Sequence, residues 1–235
     1  IQPGGKPVIQ KFILALLNPG DEVLYPNPGY PIYESIISFC GGKPVPYPLR
    51  EQDGNFFLDV EDISSRITNN TRLIVLNDLH NPTGAESSRE EMAKISELAV
   101  AHNLTVLSDE AYFDITYEKK PDSFASFPGM GERTVILYTF SKKYAMTGWR
   151  LGAAIGPKEI IDAITKLNVN DESCTNHFVQ YAGLEALTGP QDGSKRIISA
   201  LKERRNVCRE LLNSIPGIVC GLPNSTFYLY PRVTE

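Results

Sequence analysis

The sequence predicts an α/β fold, a three-layer sandwich in which a mostly parallel central sheet lies between two layers of helices. Short runs of β-branched and other apolar residues alternate along the chain with longer runs of helical period. Most of the short runs are apolar on both faces, as strands are when helices cover them on both sides. Such alternation is typical of βαβ units with right-handed crossovers.

Turn residues bound each predicted strand. The strands are 22–25, 43–47, 72–77, 105–108, 134–138 and 153–155. Between them apolar residues recur at helical spacing, which predicts helices at 7–17, 32–39, 89–102, 158–167, 178–187 and 195–213. The first helix begins at Pro7, since the first turn of a helix tolerates proline. A final aromatic run, FYLYP at 227–231, predicts one more strand.

Both ends of the sequence have the pattern of an interrupted domain. The chain opens on IQPGGKP at 1–7, a strand-to-helix turn that in a complete domain would need something before it, and it ends shortly after the aromatic run. We therefore expect a major domain over 1–187 and the incomplete beginning of a smaller C-terminal α+β domain over 188–235.

Composition argues against several classes of protein. The 235 residues are 42% hydrophobic and 22% charged, as in ordinary globular proteins. A net charge of -5 without a basic block argues against nucleic-acid binding, and no apolar run approaches the roughly 18 residues that span a membrane. The four cysteines are far apart and form no CxxC pair, so we predict neither a metal site nor a disulfide framework. The lack of a membrane-spanning run and of a signal-peptide pattern at the N-terminus predicts a cytoplasmic protein.

Polar residues follow the predicted strands at the edge of the sheet where α/β proteins bind ligands. GGKP at 4–7 is a glycine-rich turn at a helix N-terminus, where free N–H groups bind anions. Asn81 in NPTG, and Asp109 and Tyr112 in SDEAY, follow two strands, and a buried Asp109 needs a partner. Tyr30, on the proline-rich loop PNPGYP, could stack on a planar ring. Taken singly, the loops also fit ordinary turns, and Tyr30 also fits an aromatic residue of the core.

The segment TFSKKYAMTGWRLG at 139–152 has the layout of a lysine that holds an aldehyde cofactor covalently. Lys142 stands close to the hydroxyls of Thr139 and Ser141, and Arg150 supplies a permanent, fork-shaped charge for a phosphate dianion. Taken alone, the segment also fits an exposed lysine pair followed by a turn.

Three motifs together resemble the class I/II aminotransferases, which are fold-type I pyridoxal-phosphate enzymes. They are NPTG at 81–84, SDEAY at 108–112 and SKKYAMTGWRLG at 141–152. The resemblance extends over nearly the whole sequence, and PNPGYPIY at 26–33 is most similar to the aspartate-aminotransferase-like subgroup. The order of the motifs along one α/β chain is specific, whereas no single tetrapeptide is.

The resemblance implies that Lys142 forms a Schiff base with pyridoxal 5′-phosphate and later moves a proton between the substrate Cα and the cofactor C4′. Asp109 would pair with the pyridine nitrogen and keep it protonated, which makes the ring an electron sink. Lys143 does not occupy the position of the family's Schiff-base lysine, and we expect it to be solvated or to have a role at the surface.

The resemblance also implies how the rest of the cofactor is held. Tyr112 and Asn81 would hydrogen-bond the phenolic oxygen, and Tyr30 would stack on the ring. The phosphate would be held by backbone groups and by side chains, namely by the backbone of Gly5 and Lys6 and by Thr139, Ser141 and Arg150.

Two departures from the family pattern affect the expected activity. Thr139 stands where the family usually has serine or glycine, and it retains the hydroxyl. The arginine that binds the substrate α-carboxylate in the family would lie beyond Glu235, and the arm that reaches over the partner subunit would precede Ile1. We therefore expect this chain alone to bind pyridoxal 5′-phosphate weakly or not at all and to transaminate poorly.

The implied activity is a ping-pong transfer of an amino group from an L-amino acid to a 2-oxo acid by a homodimer. The sequence leaves both substrates open. A pyridoxal-phosphate lyase or synthase on the same fold would share these residues, and a ligand-sensing domain of a transcription regulator would need a helix-turn-helix before Ile1. A catalytically inactive homologue is disfavoured because Lys142, Asp109, Tyr112 and Arg150 are all present.

Overall fold

The computed structural model describes residues 1–234, so Glu235, the last residue of the predicted second domain, lies outside the described residues. The α-helices are α1 (Gly5–Leu16), α2 (Ile32–Phe39), α3 (Val60–Ser65), α4 (Arg89–Ala101), α5 (Lys158–Asp171), α6 (His177–Thr188) and α7 (Asp192–Asn213). The strands are β1 (Glu22–Pro26), β2 (Lys43–Tyr47), β3 (Leu49–Gln52), β4 (Asn55–Leu58), β5 (Thr71–Leu76), β6 (Thr105–Asp109), β7 (Thr134–Thr139), β8 (Gly152–Ile155), β9 (Ile218–Val219) and β10 (Arg232–Val233). Within the described range, each helix is too short or too polar to cross a membrane.

Six strands form the central sheet, in the order β2-β1-β5-β6-β7-β8. Neighbouring strands are parallel except β8, which runs antiparallel to β7. The chain therefore builds a mostly parallel sheet, and the order reverses between β1 and β5. In such sheets ligands bind near the point where the strand order reverses, outside the carboxyl ends of the strands.

Two apolar cores lie on opposite faces of this sheet because successive strand residues point to opposite sides. In β5, Leu73 and Val75 pack into the core beneath α1, α2 and α5, whereas Ile74 and Leu76 pack against α3 and α4. The predicted three-layer sandwich is confirmed, and the double-sided burial explains why the strands read as continuous apolar runs.

The structure contains a β-hairpin that the periodicity did not predict. β3 and β4 pair antiparallel, with Gln52 opposite Asn55. Asp53 and Gly54 connect them, and both have positive φ angles, 51° and 77°. An Asp-Gly pair between two short strands is a strong hairpin signal, so the sequence did carry this information. Strand β3 lies outside the central sheet and has the polar sequence LREQ. The apolar periodicity that predicts the other strands is therefore missing from it.

The predicted strand at 227–231 is wrong, because the last strand is β10 and these five residues have no strand pairing. The rings of Phe227 and Tyr228 both pack edge-on against Tyr112, with centroid separations of 5.3 and 5.5 Å. Two consecutive side chains that contact one neighbour cannot alternate between the faces of a sheet. The aromatic residues are therefore placed by side-chain packing rather than by a strand ladder.

A buried lysine ties α1 to the residues at the end of α5. Lys11 is 2% exposed; it contacts Glu172, lies 3.3 Å from an Asp171 carboxylate oxygen and donates to Gln2 Oε1 at 3.3 Å. Gln2 in turn exchanges two backbone hydrogen bonds of 2.9 Å with Gly152 at the start of β8. These contacts hold the turn that precedes α1 against the sheet.

Candidate active site

A cavity of about 450 Å³ opens at the carboxyl ends of β5, β6 and β7, beside the first turn of α1. All ten residues that the sequence singled out line it: Gly5, Lys6, Tyr30, Asn81, Asp109, Tyr112, Thr139, Ser141, Lys142 and Arg150. They come from loops that are far apart in the sequence. The parallel strands bring them together because their carboxyl ends meet at one edge of the sheet.

Asp109 is the last residue of β6 and is 7% exposed. The Tyr33 hydroxyl donates to its Oδ2 at 2.6 Å, and the Ala111 N–H donates to its Oδ1 at 3.2 Å. Burial raises the pKa of Asp109, although these two hydrogen bonds and the charge of Lys142 act in the opposite direction. The partners expected for a buried carboxylate are present, and both are neutral donors.

Lys142 lies in the loop that follows β7, with its ammonium 5.1 Å from the centre of the Tyr112 ring and 5.5 Å from that of Phe227. Burial lowers the pKa of Lys142; Asp109 opposes this effect, whereas the charge of Arg150 adds to it. A lysine with a lowered pKa has more free amine at neutral pH, and the free amine is the nucleophile.

Lys143 is separate from the cavity. Its ammonium lies 3.7 Å from Asp114 Oδ2 and 4.9 Å from the centre of the Tyr144 ring, and its side chain is 23% exposed. It is therefore paired and partly covered rather than simply solvated. The two adjacent lysines have different surroundings, and of the two, Lys142 lines the cavity.

One end of the cavity is formed by the N-terminus of α1, two hydroxyls and Arg150, which are groups of the kind that bind anions in proteins. The Thr139 hydroxyl donates to Ser141 Oγ at 3.1 Å, and the Ser141 N–H donates to Thr139 Oγ1 at 3.3 Å. Arg150 has a left-handed backbone, with φ 53°, and donates to the Thr147 carbonyl at 2.7 Å.

Gly4 is the N-cap of α1 and has a φ of 99°. A Cβ atom there would lie 2.2 Å from Nη2 of Arg150. The glycine therefore permits both the turn and the close approach of the guanidinium to the helix N-terminus.

Asn77 connects the two strand ends that carry the central residues. Its side-chain amide donates to the Asp109 carbonyl at 3.0 Å, and its Oδ1 accepts the Asn81 N–H at 2.9 Å. Tyr30 packs edge-on against Tyr33 with centroids 6.0 Å apart. Asn81, Tyr30 and Asp109 all line the cavity, and these contacts hold the first two in place.

Four polar residues of the cavity were not predicted, namely Tyr33, Asn77, Thr147 and Tyr228. Tyr33 stands one helical turn after Tyr30, and Asn77 directly ends an apolar strand run, so spacing could have indicated both. No comparable spacing signal indicated Tyr228, since the aromatic run that contains it predicts a strand. Its hydroxyl lies 2.7 Å from that of Tyr112.

The cavity has three features that fit pyridoxal 5′-phosphate. Asp109 is a buried carboxylate with neutral donors, which suits a protonated ring nitrogen. Lys142 is an amine with a lowered pKa, which suits an aldehyde. Gly4 lets the Arg150 guanidinium lie against the N-terminus of α1, and a cation beside free N–H groups suits a phosphate.

Comparisons with known proteins agree with this geometry. The family model for aminotransferase class I and II matches residues 1–235. An aspartate aminotransferase of Musicola paradisiaca is 36% identical over 234 residues, a match that covers 99% of this chain and 58% of the relative.

Solved structures are similar in fold as well. An alanine aminotransferase from Pyrococcus furiosus superimposes with a TM-score of 0.92 and 35% identity, over 100% of this chain and 60% of that one. An aromatic aminotransferase from Pyrococcus horikoshii gives a TM-score of 0.94 and 34% identity, over 98% and 62%. The chain thus spans about three fifths of the length of these relatives.

Proposed function

Because the chain belongs to the class I and II aminotransferase family, we propose that it binds pyridoxal 5′-phosphate and transfers an amino group from an L-amino acid to a 2-oxo acid. The observation that carries this proposal is the single cavity lined by all ten predicted residues, with a half-buried lysine, a buried carboxylate and an arginine at a helix N-terminus. Aspartate is one candidate donor, since an aspartate aminotransferase is among the relatives.

When bound, the cofactor would supply an aldehyde and an electron-withdrawing ring that stabilises negative charge at the amino acid Cα. Asp109 would hold the proton on the ring nitrogen, because a buried carboxylate gains most from a cationic partner. Tyr112 and Asn81 would donate to the phenolic oxygen, and Tyr30 would cover one face of the ring. The N-terminus of α1, Arg150 and the hydroxyls of Thr139 and Ser141 would bind the phosphate.

Lys142 would have two tasks. Its free amine would bind the cofactor's aldehyde, and the lowered pKa favours that form at neutral pH. Once an amino acid displaces it, the same Nζ would take the proton from the substrate Cα. Burial beside the Tyr112 and Phe227 rings limits access of water to this nitrogen.

The proposal extends to the organisation of the protein. We propose a homodimer, which is supported by an exposed apolar face on α6, and a division between a major domain over 1–187 and a smaller one from 188 onward. A cytoplasmic location is supported by the four cysteines, which are all unpaired thiols as expected in a reducing compartment.

The experiment that tests the function is a titration of the purified protein with pyridoxal 5′-phosphate, carried to high cofactor concentration because the sequence predicts weak binding. We expect a visible absorption band that borohydride converts irreversibly, that Lys142→Ala abolishes and that Lys143→Ala leaves in place. Addition of an L-amino acid should then bleach the band, and the most effective amino acid would identify the donor. Absence of the band would contradict cofactor binding, and a band inert to a full panel of amino acids would contradict the aminotransferase activity.

A further inference from the structure

Tyr228 lies in the cavity without a role in the function proposed above. Its hydroxyl is 2.7 Å from the Tyr112 hydroxyl, and the two rings meet edge-on with centroids 5.5 Å apart. Tyr112 is 3% exposed, so water has little access to this contact. The pair joins residues that are far apart in the sequence, one after β6 and one near the end of the chain.

The segment that carries Tyr228 is fixed to the segment that carries Tyr112. The Thr226 N–H donates to the Ile115 carbonyl at 2.9 Å, and the Tyr117 hydroxyl donates to the Thr226 carbonyl. Thr226 is fully buried with a φ of 63°, and its Oγ1 accepts the Tyr228 N–H at 3.2 Å. The backbone on both sides thus holds the two hydroxyls together.

The two hydroxyls share one hydrogen bond, so the donor must be one of them. If Tyr112 donates to Tyr228, its proton is no longer available to a ligand in the cavity. If Tyr228 donates, Tyr112 keeps its proton for the ligand and becomes a stronger donor, because hydrogen bonds in a chain polarise one another. The direction of this bond therefore decides what Tyr112 can do.

We propose that Tyr228 is a positioning residue whose hydroxyl donates to Tyr112 and so commits the Tyr112 proton to the phenolic oxygen of the bound cofactor. This inference rests on the proposed function, since it requires pyridoxal 5′-phosphate in the cavity. The other titratable or charged groups that face the tyrosine pair are Asp109, Tyr30, Lys142 and Tyr117. None of these four is paired with the Tyr112 hydroxyl, which leaves Tyr228 as its hydrogen-bond partner among residues 1–234.

The consequence is a change in the pH at which the bound cofactor changes colour. A hydrogen-bond donor at the phenolic oxygen withdraws negative charge from the cofactor. The cofactor is then harder to protonate. Loss of the Tyr228 hydroxyl weakens that donor, so protonation occurs at higher pH. A net hydrogen-bond contribution of ordinary size corresponds to a rise of about half a pH unit.

The test is a spectroscopic pH titration of the protein loaded with saturating pyridoxal 5′-phosphate. Four proteins are compared: the unsubstituted protein, Tyr228→Phe, Tyr112→Phe and the double variant. We expect Tyr228→Phe to raise the midpoint of the colour change by about half a pH unit and to have no further effect in the Tyr112→Phe background. A matched control is Tyr230→Phe, because Tyr230 packs against Phe56 away from this cavity; its midpoint should not change.

A merely structural role would not move this midpoint, and far-UV circular dichroism of each variant reports the fold separately. An unchanged midpoint in Tyr228→Phe would overturn the inference. So would an equal shift with and without the Tyr112 hydroxyl, which would mean that Tyr228 acts on the ligand directly. If the unsubstituted protein forms no visible band at all, the proposed function itself fails and the inference fails with it.

Discussion

Burial shifts the pKa values of Asp109 and Lys142, the two charged residues at the centre of the cavity, toward neutral pH. The pKa of the Asp109 carboxyl is raised and that of the Lys142 amine is lowered, in each case chiefly because the group is withdrawn from water. In a cavity without a ligand, the neutral form of each group has the lower free-energy cost of burial. Groups with shifted pKa values in a cavity are typical of reactive sites.

At the scale of one residue, Asp109→Asn should stabilise the unloaded protein above about pH 4. The raised pKa of Asp109 means that the folded state binds more protons than the unfolded chain, so stability falls as pH rises through this window. We expect a gain on the order of 1 kcal/mol in the free energy of unfolding at pH 7. Urea unfolding between pH 3 and pH 8 measures it, and a loss of stability at pH 7 would contradict the argument.

The matched control is Asp114→Asn, for which the expected change in the free energy of unfolding has the opposite sign. Burial acts to raise the pKa of Asp114, but the Lys120 hydrogen bond and the charges of Lys143 and Lys120 hold the pKa below its usual value. This carboxylate contributes stability above its unfolded pKa, and the contribution is lost as pH falls. The substitution should therefore destabilise the protein at pH 7 by about 1 kcal/mol, with the difference vanishing in acid.

At the scale of the element, the first turn of α1 and the loop before β8 form one structural unit, which we propose binds the phosphate. Gly4 and Arg150 both have positive φ angles, 99° and 53°, and the guanidinium lies against the glycine. Neither segment forms the unit alone, because the helix N-terminus supplies N–H groups and the loop supplies the charge.

Gly4→Ala should disrupt this unit. The new Cβ would lie 2.2 Å from Arg150 Nη2, and a φ of 99° disfavours alanine as well. Loss of the charge-assisted hydrogen bonds of Arg150 should weaken pyridoxal 5′-phosphate binding roughly tenfold to a hundredfold. Pyridoxal without the phosphate should bind as before, and fluorescence titration with both ligands measures the difference.

Gly148→Ala is the matched control in the same loop, since a Cβ at Gly148 has no neighbour within 4 Å among the described residues. Its affinity for both ligands should remain unchanged. If Gly4→Ala weakens binding of the two ligands equally, the turn supports the whole cavity rather than the phosphate end.

At the scale of the whole molecule, α6 presents an apolar face that the described residues leave uncovered. Phe178, Tyr181, Leu184 and Leu187 are 53–67% exposed and recur every third residue, so they form an apolar stripe that winds around about half of the helix circumference. A contiguous exposed apolar surface is typical of an interface. A second copy of the chain, related by a two-fold axis, would bury it twice.

We expect Leu184→Lys to shift the protein from dimer to monomer in analytical ultracentrifugation, because it buries a charge in that interface. Val100→Lys is the control, since Val100 is similarly exposed, at 46%, but lies on α4, whose buried residues pack in a different cluster from those of α6. A protein that is monomeric at all concentrations before substitution would refute the homodimer.

The sequence by itself determined the sheet, most helices and the ten candidate site residues, because strands buried on both faces and loops at strand ends leave local patterns in the chain. Those ten residues line one cavity, and their individual roles stay predictions. The Asp-Gly pair of the β3–β4 hairpin is also a local signal, because such a pair favours a tight turn between two strands.

Only the tertiary structure decided which further groups complete the cavity. Tyr33 reaches Asp109 from α2, and Tyr228 reaches Tyr112 from a segment whose pattern predicted a strand. Contacts between side chains distant in sequence have no local period, since they depend on how strands and loops are packed together. The same reason applies to Gly4, whose need for glycine becomes visible once Arg150 is placed beside it.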